Sequence, residues 1–537
     1  MYFHWSHEKM MTMLGVTCML LVSVYVTFGV KSLYYGESSF VQIFERLATG
    51  TYKTVVYGVR SGGVQQSAAA LLGFGEYQQE SGGANAHAIP VLTYHAIVED
   101  SNEPVSPESF EGHNVSLSQF EDQMFALKEA GWETVTLEEF TAFVRGERTL
   151  PERSFVLTFD DGSKESYYPV DPILRALQYE AVTFILPVLS AEEGTFYYLS
   201  ENEIERMVDS GRWEVGSHGY DIHSFIKTAE DGSEGAALTN RAWLENRGAL
   251  ETLDEYRARV RADLVDSRSR LEEFLDRPIE SFAFPFGEFG QLPSNTADAY
   301  ETIMDAVADT YESAFYQWWP GSGYTYNYPT DGLLMRRIGV QPTWSGDYLL
   351  SFLEGGLPKA LPYEDALDRD RGWRTTWGDF SVEDGALALA AAPDSSGASV
   401  LLDGTGHWED YEVEMRLTSP AQTGVTVYLR FADNDNHAVC NFGNGFVHVE
   451  QTVAGEQRVI QGTRDPSIQI PEGPFAVTVS VEGRAVTCTL DGGVSAATTF
   501  LDPSLTRGGV GIKVWDPVLG ESGIELDEFT VSPITNE

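Results

Sequence analysis

The sequence predicts an α/β protein: a distorted (β/α) barrel, then an all-β jelly-roll sandwich, with an N-terminal transmembrane helix. Three observations support this fold class. From residue 89 to about 355, strand-like apolar runs alternate with helical patterns, which favours a mostly parallel sheet or barrel. After Trp373, short runs alternate in period two between Gly, Asn or Asp turns, as in antiparallel sandwiches. Residues 10–30 are uncharged over 21 positions, a length that crosses a bilayer as a helix.

These changes of pattern divide the chain into successive segments. We expect a tail at 1–9, a membrane anchor at 10–30, a Gly/Ser/Gln-rich stalk at 31–88, the barrel domain at 89–355, a linker at 356–371 and the sandwich at 372–537. A cleaved signal peptide is the alternative for 10–30, although its apolar core is usually shorter and ends at a small-residue cleavage site.

Within the barrel segment, each element has its own signal. Apolar runs predict strands in "IPVLTYH", "FVLTFDDG", "AVTFILPV", "WEVGSH" and "SFAFPFG". A serine cap at Ser116 or Ser118 opens a helix with apolar residues at helical spacing. Further helices are predicted in "PVDPILRALQYE", "SENEIERMVDSG" and "LDEYRARVRADLVDSRSRLEEFLD". Because parallel strands expose their carboxyl ends at one rim, we expect the chemistry in the loops that follow them.

The composition narrows the class of partner. With 81 Asp plus Glu against 35 Lys plus Arg, the net charge is −46, and no basic footprint for nucleic acid is present. Three cysteines exclude a full disulfide framework, and no CxxC pair suggests a metal ribbon. We expect Cys440 and Cys488 to be ordinary buried thiols, with a disulfide as the less favoured alternative.

Two adjacent carboxylates end a strand that otherwise reads as buried. Asp160 and Asp161 follow the apolar run "SFVLTF" directly. Like charges at the lip of an apolar strand cost free energy unless a cation or a proton offsets them. A divalent cation bound by one aspartate, with the other left free as a base, would resolve this cost.

His218 and His223 supply candidate partners for that cation. In a strand followed by a loop, imidazoles five residues apart can converge, and the spacing falls in the range used for zinc. Two neutral imidazoles and one carboxylate make an open three-ligand set. The alternative is a pair of loop histidines bonded to backbone groups.

Three motifs in order resemble those of a known family. "TFDDG" at 158–162, "SHGYDIH" at 217–223 and "FAFPFG" at 282–287 are similar to the motifs of the polysaccharide deacetylases (carbohydrate esterase family 4, NodB-homology type). The five-residue histidine step resembles the branch that deacetylates poly-β-1,6-N-acetylglucosamine. The resemblance covers roughly residues 89–355.

The resemblance implies a role for each matching residue. Asp161, His218 and His223 would bind the metal, for which we expect zinc, with cobalt or nickel as alternatives. Asp160 would be the general base toward water. The backbone N–H of Phe286 would donate to the oxyanion, with Pro285 fixing the local backbone beside the substrate.

The sequence departs from the family pattern at two places. An arginine that often precedes the proline of the third motif is replaced by phenylalanine, Phe284. The late motif that usually carries a general-acid histidine matches "LLMRRIGVQP", which has none. Arg337 could pair with Asp160 or touch substrate, although a structural ion pair is as plausible. His95, at the end of the first strand, is a candidate for the acid, with a structural role as the alternative.

Aromatic residues and the sandwich suggest sugar contacts. Trp318 and Trp319 could form a stacking platform, or they could pack in the core. The sandwich loosely resembles concanavalin-like modules of carbohydrate-active enzymes, so a carbohydrate-binding module and a structural sandwich both remain open.

We therefore expect a metal-dependent N-deacetylase of an envelope or extracellular N-acetylglucosamine polysaccharide. It would be membrane-anchored with its catalytic domain extracytoplasmic, or secreted if residues 10–30 are cleaved. Alternatives are a peptidoglycan or chitin-oligomer deacetylase, an O-acetyl xylan esterase of the same fold, or a weakly active glycan-binding protein.

Overall fold

The computed structural model describes residues 84–98, 100, 114–190, 197–319, 323–329, 332–419, 423–491 and 493–534. The predicted membrane segment, 10–30, lies outside these residues. Within the described ranges, no helix combines the length and the apolar character needed to cross a membrane.

The first half of the described chain is built on short strands that are mostly parallel. Their bounds are β1 Val91–Tyr94, β2 Ile97–Val98, β3 Val115–Ser116, β4 Glu133–Thr134, β5 Ser154–Phe159, β6 Ala181–Ile185, β7 Trp213–Ser217, β8 Phe225–Lys227, β9 Glu234–Ala236, β10 Trp243–Leu244, β11 Ala249–Leu250, β12 Ser281–Ala283, β13 Ser313–Gln317 and β14 Leu334–Gly339.

Seven of these strands close into a barrel. The order around it is β1-β14-β13-β12-β7-β6-β5, and β5 pairs back with β1. Every pairing in the barrel is parallel, while β4 extends the sheet beyond β5. The predicted (β/α) barrel is confirmed. All six residues of β5 are buried, because parallel strands covered on both faces carry continuous apolar runs.

The helices that connect the barrel strands are α1 Leu117–Glu129, α2 Leu137–Val144, α3 Asp171–Leu177, α4 Pro187–Ser190, α5 Glu201–Asp209, α6 Leu253–Leu275, α7 Ala299–Ala308 and α8 Gly346–Gly356. Ser116 is the N-cap of α1, where its hydroxyl accepts from the amide of Gln119. Thr252 and Glu255 form a capping box that starts the long helix α6. Two short hairpins, β8–β9 and β10–β11, are inserted between β7 and α6.

The barrel has one weak junction. Strands β7 and β12 pair through a single residue pair, Phe282 with Ser217. Below it the strands separate around a cavity of about 610 Å³ whose lining includes Glu214 and Ser281. The barrel is therefore distorted at the strand that carries the histidine motif.

The second half of the described chain is an antiparallel sandwich, as predicted. Its strands are β15 Tyr363–Asp365, β16 Trp373–Trp377, β17 Asp379–Glu383, β18 Ala386–Ala390, β19 Gly397–Leu402, β20 Tyr411–Ser419, β21 Gly424–Asp433, β22 Asn436–Gly443, β23 Phe446–Val453, β24 Glu456–Arg464, β25 Gly473–Glu482, β26 Ala485–Leu490, β27 Val494–Thr498, β28 Gly509–Trp515 and β29 Gly523–Pro533.

These strands form two sheets that enclose one apolar core. The first sheet has the order β17-β18-β29-β20-β25-β26-β27, with β15 paired to β29. The second has the order β16-β19-β28-β21-β22-β23-β24. Strand β15 lies within 356–371, the predicted linker, and pairs antiparallel with the last strand of the chain.

The expectation of two separate thiols in the sandwich is wrong. Cys440 of β22 and Cys488 of β26 form a disulfide with their Cα atoms 5.7 Å apart. Both side chains point inward from facing sheets, so the bond crosses the core. Period-two alternation places each cysteine inside, but the sequence does not show that the two lie opposite each other.

The sandwich packs directly against the barrel through a buried polar cluster. Asp403 accepts a 2.8 Å hydrogen bond from Thr325 and lies 3.3 Å from the Nε of Arg374. Its backbone carbonyl accepts from the buried ammonium of Lys359. Tyr324, from the barrel, packs beside them on Leu401 of the sandwich.

Candidate active site

The candidate site lies at the carboxyl ends of the barrel strands. Asp160 and Asp161 follow β5, and His218 follows β7. Asp161 has a left-handed backbone with φ of 70°, which turns the two neighbouring carboxylates in different directions. Such strained positions are concentrated at functional sites.

Three side chains form a tight cluster of ligand atoms. The Nε2 atoms of His218 and His223 lie 3.6 and 3.8 Å from an oxygen of Asp161. One ligand atom from each residue falls within 4.8 Å of the others. The loop between the histidines is held by Asp263 of α6, which accepts 2.8 Å hydrogen bonds from the amides of Tyr220 and Asp221.

The histidines have the orientation and protonation that a metal ligand needs. Nδ1 of His218 lies 2.8 Å from the carbonyl of Ala283, so this nitrogen donates and Nε2 keeps its lone pair toward the cluster. Burial lowers the pKa of His218 to about 3 and also lowers that of His223. Burial and the charge of Asp160 raise the pKa of Asp161 to about 6, although His95 opposes them. This donor set of two neutral imidazoles and a carboxylate fits a divalent metal ion.

Asp160 stands apart from this cluster and is paired with Arg337. The guanidinium of Arg337, from β14, donates to both carboxylate oxygens at 2.6 and 2.7 Å. Burial opposes ionisation of Asp160, but the charge and hydrogen bonds of Arg337 outweigh it and hold the pKa of this carboxyl well below its usual range. Of the alternatives for Arg337, the structure selects the pairing with Asp160.

His95 lies at the rim of the same site. Its Nε2 is 4.0 Å from an oxygen of Asp160, and its side chain is 27% exposed. The residue follows β1, between the strands that carry Asp160 and Arg337. It is therefore placed beside the carboxylate with access to solvent.

Phe286 combines a left-handed backbone with a free amide. Its φ is 58°, directly after Pro285. Within the described residues, its N–H donates to no acceptor. Its ring lies against His223, with centroids 4.5 Å apart. A Cβ at the next residue, Gly287, would approach Gln317 to 3.2 Å, so the turn sits tightly on the end of β13.

The two tryptophans occupy the loop after β13 and have different environments. Trp318 donates through its indole N–H to the carbonyl of Gly323, at 2.9 Å. Trp319 is 36% exposed and packs beside Tyr316 and Phe289.

Sequence reasoning missed two aromatic positions beside the cluster. Phe225, in the β8–β9 insertion, is 58% exposed and stacks next to Phe286 with centroids 4.9 Å apart. Tyr197 is 47% exposed. The partial burial of its hydroxyl and the charge of Asp161 raise the pKa of Tyr197 to about 12. Neither lies in a recognisable motif, so the sequence carries no signal for them.

Fold and site together define a class: a parallel (β/α) barrel that gathers a candidate Asp–His–His metal centre beside an ion-paired carboxylate. Residues 147–302 match the polysaccharide deacetylase family. This part of the chain is therefore similar to polysaccharide deacetylase domains.

Curated relatives match about a third of the chain. The chain is 31% identical over 189 residues to the poly-β-1,6-N-acetyl-D-glucosamine N-deacetylase of Escherichia coli K12, covering 33% of this chain and 28% of that protein. It is 27% identical over 184 residues to the enzyme of the same name from Staphylococcus aureus N315, covering 34% and 57%. The chain thus spans less than two thirds of the length of these relatives.

Two solved structures align with parts of the chain. A de-N-acetylase from Aggregatibacter actinomycetemcomitans aligns at 20% identity and a TM-score of 0.42, covering 49% of this chain and 98% of that one. A carbohydrate-binding module from Bacillus subtilis aligns at 17% identity and a TM-score of 0.25, covering 30% of this chain and 95% of that one.

Proposed function

We propose that the barrel hydrolyses N-acetyl groups of a poly-β-1,6-N-acetylglucosamine-like polysaccharide, releasing acetate and leaving a free amine on the sugar. The observation that carries the proposal is the Asp161–His218–His223 cluster next to a separate, ionised Asp160. The names of the relatives support the choice of substrate.

The cluster would hold a divalent metal ion, for which we propose zinc, with cobalt or nickel as alternatives. When bound, that ion would make a nearby water more acidic and polarise the acetamide carbonyl. The neutral imidazoles and the carboxylate of Asp161 provide the ligands. Because Nδ1 of His218 is committed to Ala283, only its Nε2 is available.

Asp160 would take the proton from the attacking water on a carboxylate oxygen. Arg337 keeps this carboxylate ionised and fixes its plane, so the base is oriented before substrate arrives. His95, 4.0 Å away and partly exposed, would deliver a proton to the departing nitrogen. Asp160 gains one proton from water and His95 gives one to the amine. Transfer of a proton from Asp160 to His95, 4.0 Å away, then restores both groups for the next turnover.

The amide of Phe286 would donate to the carbonyl oxygen as negative charge develops there. A free N–H already turned outward costs no reorganisation during the reaction, which is the requirement of an oxyanion donor. Pro285 fixes the turn that presents it. Phe225 and Tyr197 would flank the substrate ring, while Trp318 and Trp319 would contact sugars further along the chain.

We also propose that the protein works outside the cytoplasm. The disulfide between Cys440 and Cys488 fits an oxidising compartment. The uncharged segment 10–30 would provide export, as an anchor or a cleaved signal. The chain would meet its polysaccharide substrate there and needs no nucleic-acid partner.

The test is acetate release from soluble β-1,6-linked N-acetylglucosamine oligomers by zinc-loaded full-length protein. We expect Asp160→Asn to lower kcat by at least about 100-fold while bound zinc is retained. Asp161→Asn should lose zinc and activity together. Asp221→Asn, the same change at an exposed aspartate of the histidine loop, is the matched control and should behave like wild type.

A wild-type protein that binds one zinc per chain but releases no acetate would contradict the proposal. Asp160→Asn with full activity would remove the assigned base. Retained oligomer binding without any turnover would favour the glycan-binding alternative.

A further inference from the structure

The second sheet of the sandwich has an outer face that is covered only in part. The face turned away from the core carries Leu401 and Phe431 at one end, where Tyr324 of the barrel packs on them. Beyond this contact the face continues across β16, β19, β28, β21, β22, β23 and β24. The aromatic residue Trp377 on this part is 36% exposed.

Three aromatic rings lie flat on this open part because glycines beneath them leave room. A Cβ on Gly397 would meet the ring of Trp377 at 2.6 Å, and one on Gly424 would meet Trp515 at 2.6 Å. A Cβ on Gly443 would meet the ring of Phe446 at 2.5 Å. These residues share neighbouring registers of the sheet.

The rings together make an apolar floor. The ring planes of Phe446 and Trp515 are nearly parallel, with an interplanar angle of 18° and centroids 6.5 Å apart. Side chains normally stand away from a sheet, so rings seated over glycines are a specific arrangement. A flat apolar surface of this kind matches the face of a pyranose ring.

A polar row runs directly beside the floor. Cross-strand pairing aligns Lys513, Thr426, Asn441 and His448 in one line across four strands. Thr426 donates to Asn441 at 3.2 Å, and Asn441 donates to Glu450 at 3.1 Å. Donors and acceptors alternate along this row. Thr426 and His448 are buried, so the half-buried Asn441 and Lys513 are the members within reach of a sugar hydroxyl, which is both donor and acceptor.

The charged side chains next to this row have partners within the protein. Glu450 accepts from Gln457 as well as from Asn441, and lies 3.6 Å from Nδ1 of His448. His448 in turn lies within 3.3 Å of the guanidinium of Arg464. A carboxylate satisfied in this way does not call for a cationic ligand, and the alternating row does not select an anion. A neutral ligand fits best.

We propose that this face is a second glycan site, separate from the barrel, which binds pyranose units of a neutral polysaccharide. Trp377, Trp515 and Phe446 stack on the rings, while the half-buried Asn441 and Lys513 exchange hydrogen bonds with hydroxyl or acetamide groups. The site does not depend on catalysis in the barrel. Its role is to hold polymer on the protein.

The test uses the full-length chain with Asp160→Asn, so that no probe is consumed. Binding of β-1,6-linked and β-1,4-linked N-acetylglucosamine hexamers is measured by calorimetry. We expect the added pair Trp377→Ala and Trp515→Ala to weaken binding of at least one hexamer about tenfold. Phe500→Ala, at an aromatic residue 71% exposed elsewhere on the sandwich, is the matched control and should bind as before.

Acetate release separates this site from the barrel. In the chain that retains Asp160, Trp377→Ala with Trp515→Ala should leave kcat/KM on a short oligomer unchanged. If the double variant is unstable, Gly443→Ala provides a milder change, because its single methyl group lifts the ring of Phe446 and should also weaken binding.

Three results would overturn the proposal: no binding of either hexamer at millimolar concentration, unchanged affinity in folded face variants, or an equal loss in Phe500→Ala. Normal hexamer binding by the Asp160→Asn chain together with absent acetate release by the zinc-loaded chain that retains Asp160 would instead count against the proposed barrel chemistry alone.

Discussion

The protein has two buried aspartate–arginine pairs, one in the barrel and one at the domain junction, and the pKa of the aspartate shifts in opposite directions in the two. Asp160 in the barrel receives two short hydrogen bonds from one guanidinium, and its pKa is held low despite burial. Asp403 at the domain junction has contacts with Thr325 and Arg374, yet burial raises its pKa.

Geometry explains the difference. A bidentate pair compensates both oxygens at once, whereas Asp403 meets Arg374 through a single nitrogen at 3.3 Å. The first arrangement keeps a carboxylate ionised and oriented where solvent and substrate arrive. The second joins two domains and exposes nothing. Burial of an ion pair therefore does not reveal its role, but the number of charge-assisted bonds and the position of the pair in the fold do.

The largest effect is expected from breaking the barrel pair. Arg337→Met leaves Asp160 as an uncompensated buried carboxylate, which should lower the free energy of unfolding by about 3–5 kcal/mol. Acetate release should fall by about 10- to 100-fold, because the base loses its orientation. Arg337→Lys should recover part of the stability, since it keeps the charge but not the paired geometry.

Denaturant unfolding and steady-state kinetics measure the two effects of Arg337→Met. Arg336→Met, at the neighbouring position of the same strand, is the control and should retain the ionised state of Asp160. Full activity in Arg337→Met would show that the pairing has no part in catalysis.

Breaking the junction pair should affect stability alone. Asp403→Ala removes the buried carboxylate beside Arg374, which keeps only the more exposed Asp370 as a carboxylate partner, and should cost about 3 kcal/mol in the free energy of unfolding. The kcat on short oligomers should remain that of wild type, because the cluster around Asp161 is untouched. A selective loss of kcat in folded Asp403→Ala protein would contradict this separation of roles.

Glu214 is a third carboxylate with a shifted pKa, and it differs from Asp160 and Asp403 because the charged groups near it are other glutamates. Burial, with Glu180 and Glu138 nearby, raises the pKa of Glu214 to about 7 from 4.5. The folded state thus prefers the protonated form, so this group opposes folding increasingly as pH rises from 4.5 through 7 and costs nothing below that window.

Glu214→Gln keeps an acceptor for the amide of Leu137 and removes the charge. We expect the variant to exceed wild type by about 2 kcal/mol in unfolding free energy at pH 8 and to match it at pH 4. Urea unfolding at the two pH values measures this. An equal increase in unfolding free energy at pH 4 and pH 8 would show that the effect comes from packing and not from the charge.

Local patterns predicted the fold well. The buried run "SFVLTF" became a barrel strand, and the capping signal at Ser116 starts a helix where the apolar periodicity begins. The strand-then-loop placement of His218 and His223 also led to the expected proximity to Asp161. These features depend on sequence neighbours and on the shared rim of parallel strands.

What sequence could not predict depends on partners far apart in the chain. Arg337 reaches Asp160 from 177 residues away, a pairing that the sequence offered but could not choose over its alternatives. The disulfide joins facing sheets, and the flat rings of Trp515 and Phe446 depend on glycines of adjacent strands. Register across a sheet is not written in any single strand.

Because β7 and β12 pair through only one residue pair, His218 also has a structural role at this position of the barrel. Where the backbone ladder stops after one residue pair, the imidazole continues it by donating to the carbonyl of Ala283. Removing the imidazole would break this hydrogen bond between the β7 end and β12, and it would also remove a candidate metal ligand. Loss of activity in His218→Ala could therefore come from either change. Within the described chain His223 makes no hydrogen bond to β12, so a substitution of His223 tests the role of a ligand more directly.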